Sequence, residues 1–433
     1  MLSQALYLGG GGGCECACVT FEAPSKLLTG RSNVYAGWKV VVGLFVVMAL
    51  SSGLGFYNHA VLIQALAQTG NFSVTSASSA VSLFFIVSGL TGLVVAPILE
   101  RVDARWIICT GAMISALGLA LLSSVSTLLE LYVVYFLFGV GFCASGLLPA
   151  TTLIARWFVV YRARALSIAS TGLSVGGMLI TPLSAEWVAS MDIGPATQLM
   201  AVVYALGIIP LTIWLVRSRP EDVNEAPDGL TQAESHDSPT TVDGTPFAVA
   251  VRDPFYRFLN VAYVFIMLGQ VGGIAHQVGI ISERLSQDHV VGMLSILPIA
   301  SVVGRLAGGF MLEHLPILSF TLTMIVLQAL SLFLVAVSES PLTLGLSLAL
   351  FGLSVGNLLM LQPLIVAERF GLLDYSRLFS WANMFSVLGV AGGPGVLGAI
   401  YGSVGNFAIP YFFASAMGVV AALCFLGCVR VGK

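Results

Sequence analysis

Between residues 39 and 429 the sequence divides into twelve apolar runs, each near or above the ~20 residues that a helix needs to cross a bilayer. The runs fall at about 39–65, 75–99, 105–124, 128–155, 163–188 and 195–217, then 254–281, 290–312, 316–337, 341–367, 377–402 and 407–429. A mean hydropathy of +0.96 with only 9% charged residues excludes a soluble protein of 433 residues, which could not solvate such a surface. The expected fold class is therefore an all-α membrane protein with twelve transmembrane helices.

Of the 18 Lys and Arg residues, only Arg284 lies in a loop that leads from an odd to an even run, and only Arg305 lies inside a run away from its ends. The positive-inside bias then puts both termini and the central loop in the cytoplasm of a multi-pass protein of the inner, or plasma, membrane. No cleavable signal peptide is expected, because the first apolar helix is long and starts only near Trp38. The stretch GGGGGCECAC, with Cys14, Cys16 and Cys18, has no partner histidines and is expected to belong to a flexible tail over residues 1–37 rather than to a metal site. No cofactor, metal or nucleic-acid partner is expected.

After the sixth run comes the only long polar segment, SRPEDVNEAPDGLTQAESHDSPTTVDGTPF (218–247). Its composition cannot build a core, so residues 218–253 are expected to be a cytoplasmic linker between six-helix halves at 38–217 and 254–430. The halves repeat. One constant offset in numbering carries Glu100 onto Glu313, Phe138-Gly139 onto Phe351-Gly352, Arg156 onto Arg369, Arg164 onto Arg377, Ser167 onto Ser380 and Gly176 onto Gly389. Six plus six helices in parallel repeats is the plan of the major facilitator transporters.

The resemblance extends to motifs. APILERVDARW (96–106) resembles the facilitator loop after the second helix, with Glu100 as its acid, Arg101 and Arg105 as its basic positions, and Asp103 where a second glycine is usual. GGFMLEHLP (308–316) is the second copy, with Glu313 and with His314 in place of arginine. ARWFVVYRARALSIASTGLSVGG (155–177), RPEDVNEAPDG and LQPLIVAERFG (361–371) resemble bacterial members of the monocarboxylate transporter and oxalate–formate antiporter branch. The resemblance covers nearly all of residues 37–430. It implies a transporter, not an enzyme, that works as a monomer.

Two groups of residues follow as candidates. Glu100, Arg101, Arg105, Arg164, Glu313 and Arg377 are expected to form a charge latch on the cytoplasmic face, with Glu100 reaching Arg101, Arg105 or Arg164. In the eighth run, VVGRLAGGF (302–310) puts Arg305 ~10 Å from the cytoplasmic helix end at 1.5 Å per residue, with its side chain tilted toward the bilayer midplane. No helix middle carries an Asp or Glu, so the counter-charge is expected to be a substrate carboxylate held by the guanidinium fork. The related carriers use an arginine in this helix in that way. A structural role toward backbone carbonyls is the other reading.

The sequence departs from the family at three points. Animal monocarboxylate carriers have an aspartate one turn before this arginine, where this chain has Ser301, and a lysine in the first helix, absent from GFYNHAV (55–61). The oxalate-type second cation is also missing around Ser386 to Gly389. A single cation suits a monoanion. Further candidate contacts are Tyr57, Asn58, His59, His276, Gln277, Asn357 and Asn383, with Gln270, Gln362 and Trp381 behind them. His59 and His276 are the candidate proton carriers near neutral pH; otherwise a protonated substrate or an exchanged anion would balance charge. The expected activity is secondary transport of a small organic anion, most simply a monocarboxylate. The alternatives are a carrier of a dicarboxylate or neutral solute, and a transporter-like sensor.

Overall fold

The structure, a computed structural model, describes residues 35–72, 74–229, 244–285 and 287–431. The Cys14, Cys16 and Cys18 tail and the middle of the linker lie outside the described residues. Eleven described helices are long and apolar enough to cross a membrane: α1 Ala36–Ile63, α2 Ser79–Arg101, α3 Ala104–Ser124, α4 Leu128–Trp157, α5 Arg162–Met191, α6 Ile193–Leu215, α7 Pro254–Ala275, α9 Ile317–Val337, α10 Pro341–Phe370, α11 Tyr375–Val404 and α12 Ala408–Arg430. The eighth expected span forms α8, Gln287–Met311, whose shorter apolar part Ser295–Met311 holds Arg305. Among the described residues the only β pairing is an isolated bridge between Gly244 and Gly371.

Helix ends are fixed by local chemistry. Asp103, which occupies a position usually held by glycine in the facilitator loop, caps α3: its Oδ1 accepts from Arg105 N (2.9 Å) and from Ser218 Oγ (2.5 Å). Thr127 and Glu130 close a capping box on α4. At the same end of the bundle as Thr127, Arg284 donates to the carbonyls of Val335, Ala336 and Ser338. It neutralises the C-terminus of α9, which accounts for a cation on that side.

Close approach of helix backbones sets the packing, as expected where lipid and neighbouring helix are equally apolar. A Cβ on Gly176 of α5 would overlap the Ala49 carbonyl of α1, and one on Gly389 of α11 would overlap the Val264 carbonyl of α7. Around the first contact both helices widen into π-turns, Ser52–Phe56 and Gly176–Ile180, which lie against each other. α4 breaks at Gly146, and α7 breaks at His276 before continuing as a short helix, Gln277–Arg284.

The repeat is visible in three dimensions. Gly139 abuts the Phe84 carbonyl (α4 on α2) and Gly352 the Leu297 carbonyl (α10 on α8), and the offset that relates the two glycines also relates their partners. The halves meet along two equivalent seams, α5 with α8 and α2 with α11. In the first, Ser167 Oγ donates to the Arg305 carbonyl; in the second, Ser380 lies against Gly92.

The linker is more ordered at its described ends than its composition suggests. Asp228 accepts from the backbone N–H groups of Val159 (2.8 Å), Val160 (2.7 Å) and Tyr161 (3.3 Å) in the α4–α5 turn. Past the undescribed stretch, Thr245 N donates to Phe370 O (2.7 Å) and Phe247 N to Asp374 Oδ2 (2.8 Å), in the equivalent α10–α11 turn.

Candidate functional site

Arg305 lies six residues before the end of α8 and is 2% exposed. Its Nε donates to Gly356 O of α10 (2.8 Å), and its Nη1 donates to Ser170 O and to Ser174 Oγ (3.3 Å), both on α5. The guanidinium therefore braces one half against the other. Nη2 makes no hydrogen bond to a described residue, and none of the described ion pairs includes Arg305.

The side chain borders a cavity of about 170 Å³ built from both halves. Its polar lining is sparse: Arg305 is joined by Ser51, Ser52 and Tyr57 of α1, Ser88 of α2, Gln270 of α7 and Asn383 of α11. The walls are apolar, with Phe56, Phe85 and Phe142 on one side and Met267, Ile274 and Val387 on the other. The first, fourth, seventh and tenth helices contribute, and α2, α5, α8 and α11 line the cavity as well.

Of the candidate contacts, Tyr57, Asn383 and Arg305 come together here, with Gln270 beside them. The others lie elsewhere. Asn58 turns to α6, where its Nδ2 meets Met200 Sδ at 3.3 Å. His59 is enclosed by the rings of Phe84, Phe85, Tyr135 and Phe138, and neither ring nitrogen has a hydrogen-bond partner among the described residues. His276 is bound through Nε2 to Pro394 O (3.0 Å), and Gln277 is buried beyond the α7 break. Asn357 ties α10 to α8 by donating to Gly304 O (2.9 Å) as well as to Leu353 O in its own helix. Gln362 is occupied by Ala382 O and Ser386, and Trp381 faces Phe247. The three phenylalanines and the α1 serines carry no sequence signal that sets them apart from the other aromatic and small residues of the helices.

At the arginine-rich end the charges cross between halves. Arg164 Nη2 of α5 lies 2.5 Å from Glu313 Oε2 at the end of α8, and Arg377 Nε of α11 lies 4.0 Å from Glu100 Oε2 of α2. The repeat offset carries each member of one pair onto its counterpart in the other. This corrects the expected partners of Glu100: Arg164 serves Glu313, Arg105 pairs with Asp103 at 2.5 Å, and Arg101 forms no ion pair with a described residue.

Two related helical halves, tied at one end by exchanged ion pairs and enclosing a cavity with a buried cation, make the framework of a membrane solute transporter. The chain belongs to the Major Facilitator Superfamily: residues 45–373 match the family model. It is 23% identical over 392 residues to monocarboxylate transporter 13 of Rattus norvegicus, covering 88% of this chain and 86% of that one. It is also 23% identical over 385 residues to the MFS transporter asaE of Aspergillus flavus, covering 85% and 81%. Among solved structures, the Escherichia coli fucose:proton symporter FucP matches with a TM-score of 0.69 at 12% identity, over 93% of this chain and all of that one. The human organic anion transporter MFSD10 matches with a TM-score of 0.66 at 15% identity, over 90% and 99%.

Proposed function

We propose that this transporter is a secondary active carrier of an organic monocarboxylate, gripped by Arg305 and moved by alternating access. The observation that carries this reading is a single buried guanidinium at a cavity shared by both halves, with no carboxylate partner among the described residues. A low-dielectric site of that kind attracts one anionic group strongly, and one cation balances one negative charge. The names of two similar proteins, a monocarboxylate transporter and an organic anion transporter, fit the same chemistry.

The bonds to Arg305 suggest how binding drives the cycle. With Nε and Nη1 committed, a carboxylate first meets Nη2 alone. Two-pronged binding through Nη1 and Nη2 needs Nη1 to leave Ser170 and Ser174, which loosens the α5–α8 seam. The substrate thus replaces a contact that held the halves together. The Arg164–Glu313 and Arg377–Glu100 pairs latch the arginine-rich face, taken as cytoplasmic from the positive-inside bias, and release when that face opens. His59 and His276 lie away from the cavity lining, so charge is balanced by the substrate's own proton or by an exchanged anion. The carrier works as a monomer in the plasma membrane, with residues 38–217 and 254–430 as its rocking halves.

The hydrogen bonds of Arg305 to Ser170, Ser174 and Gly356 also favour a second reading, in which the arginine is purely structural. Uptake of labelled carboxylates into proteoliposomes, with and without a pH gradient, separates the two. The proposal requires saturable uptake of a monocarboxylate that Arg305→Ala abolishes in correctly folded protein. Unchanged uptake in that variant makes the arginine structural.

A further inference from the structure

The cavity around Arg305 is chemically lopsided. One cation sits in a chamber whose remaining surface is mostly hydrocarbon and aromatic ring. Phe56 and Phe85 meet edge to face, with centroids 5.3 Å apart, and Phe142 extends this wall from α4. An acid of one to three carbons satisfies the guanidinium but leaves that wall bare. A substrate carrying an aromatic body gains from it, at about fourfold in affinity per methylene-sized unit buried, with added preference for edge-to-face ring contact.

A second feature points the same way. Gln270 of α7 lines the cavity and is 4% exposed, yet its side-chain oxygen Oε1 has no hydrogen-bond partner among the described residues. Unpaired carboxamide oxygens also occur on Asn58, Asn260, Gln328 and Asn357, but none of those residues lines the cavity, whereas Gln270 does. A buried acceptor left unpaired beside a ligand cavity is matched by a donor on the ligand once the carboxamide turns its oxygen to the cavity.

We infer, building on the carboxylate reading above, that the substrate is an aromatic monocarboxylate bearing a hydroxyl or N–H donor. Its carboxylate lies on Arg305, its ring against Phe56, Phe85 and Phe142, and its donor on Gln270 Oε1. Gln270 is then a specificity-determining residue: it selects among ring-substituted acids without contributing to the grip on the carboxylate.

The test uses the full-length protein in proteoliposomes and compares uptake of acetate, phenylacetate, the three hydroxyphenylacetate isomers and neutral phenylacetamide. Phenylacetate is expected to exceed acetate at least tenfold in transport efficiency. One hydroxyphenylacetate isomer is expected to exceed phenylacetate by about tenfold, the worth of one buried hydrogen bond. In Gln270→Met, of similar length and volume, the ratio of that isomer to phenylacetate should fall to about one. Acetate transported as well as phenylacetate overturns the aromatic class while leaving Arg305 as the carboxylate partner. Absence of a favoured hydroxyl isomer in the wild type overturns the role of Gln270 whether or not the variant folds, as does a ratio that survives in a folded variant. Phenylacetamide transported as well as phenylacetate overturns the carboxylate reading itself.

Discussion

Neutralising Glu313 should open the arginine-rich face, and a native cysteine can report it. The Arg164–Glu313 pair spans the halves at 2.5 Å with its side chains 30% and 15% exposed. Fully exposed pairs are worth up to about 1 kcal/mol, while breaking a buried one costs roughly 3–5 kcal/mol. Partial burial puts this pair at about 2 kcal/mol, which shifts a two-state equilibrium roughly 30-fold. Cys143 lines the cavity and is nearly buried. In a protein that keeps only this one of its seven cysteines, an impermeant maleimide applied from the arginine-rich face reads how often that face opens. Glu313→Gln should raise the labelling rate by up to about 30-fold, with a smaller effect for Glu100→Gln, whose pair is 4.0 Å apart and more exposed. Exchanging the charges, Arg164→Glu with Glu313→Arg, should return the rate toward wild type. An unchanged rate in Glu313→Gln, or a swap no better than the single change, would refute the latch.

Arg305→Lys should abolish uptake as Arg305→Ala does, because an ammonium cannot reach Gly356 and Ser170 and still present a planar fork; recovery of wild-type uptake by lysine would contradict this. Gly176→Val should lower the thermal midpoint of purified protein through about 1–3 kcal/mol of overpacking against α1, whereas Gly392→Ala, with nothing within 4 Å of its added methyl, should leave it unchanged. Asp103 provides a pH test. Burial works against its charge, but hydrogen bonds from Arg105 and Ser218 prevail and hold its carboxyl down at about 2. Its contribution is thus complete above its ordinary value near 4 and fades as pH falls toward 2. Melting curves of wild type and Asp103→Asn should differ at pH 5 and converge near pH 2.

Much of the architecture was legible in the sequence. The length and spacing of the apolar runs gave the helices, because a bilayer leaves little choice for a run of that length. The constant offset between Glu100 and Glu313, Arg164 and Arg377, and Ser167 and Ser380 gave the two related halves, since charges and serines recurring on one register mark equivalent places in a repeat. Arg305 announced itself as the only Lys or Arg inside a run and away from its ends. Tertiary structure decided which faces meet. Twelve helices that are apolar nearly all round carry weak signals of which side faces lipid and which a neighbour, since hydrocarbon surrounds both. Hence Tyr57 and Asn383 reach the cavity while their near neighbours Asn58, His59 and Trp381 turn elsewhere. For the same reason Glu100 finds Arg377, in the other half of the chain, rather than the arginines beside it. The commitments of the guanidinium were equally out of view: the acceptors Ser170 and Gly356 are backbone carbonyls, which every residue has, and only the helix crossing places these two within its reach.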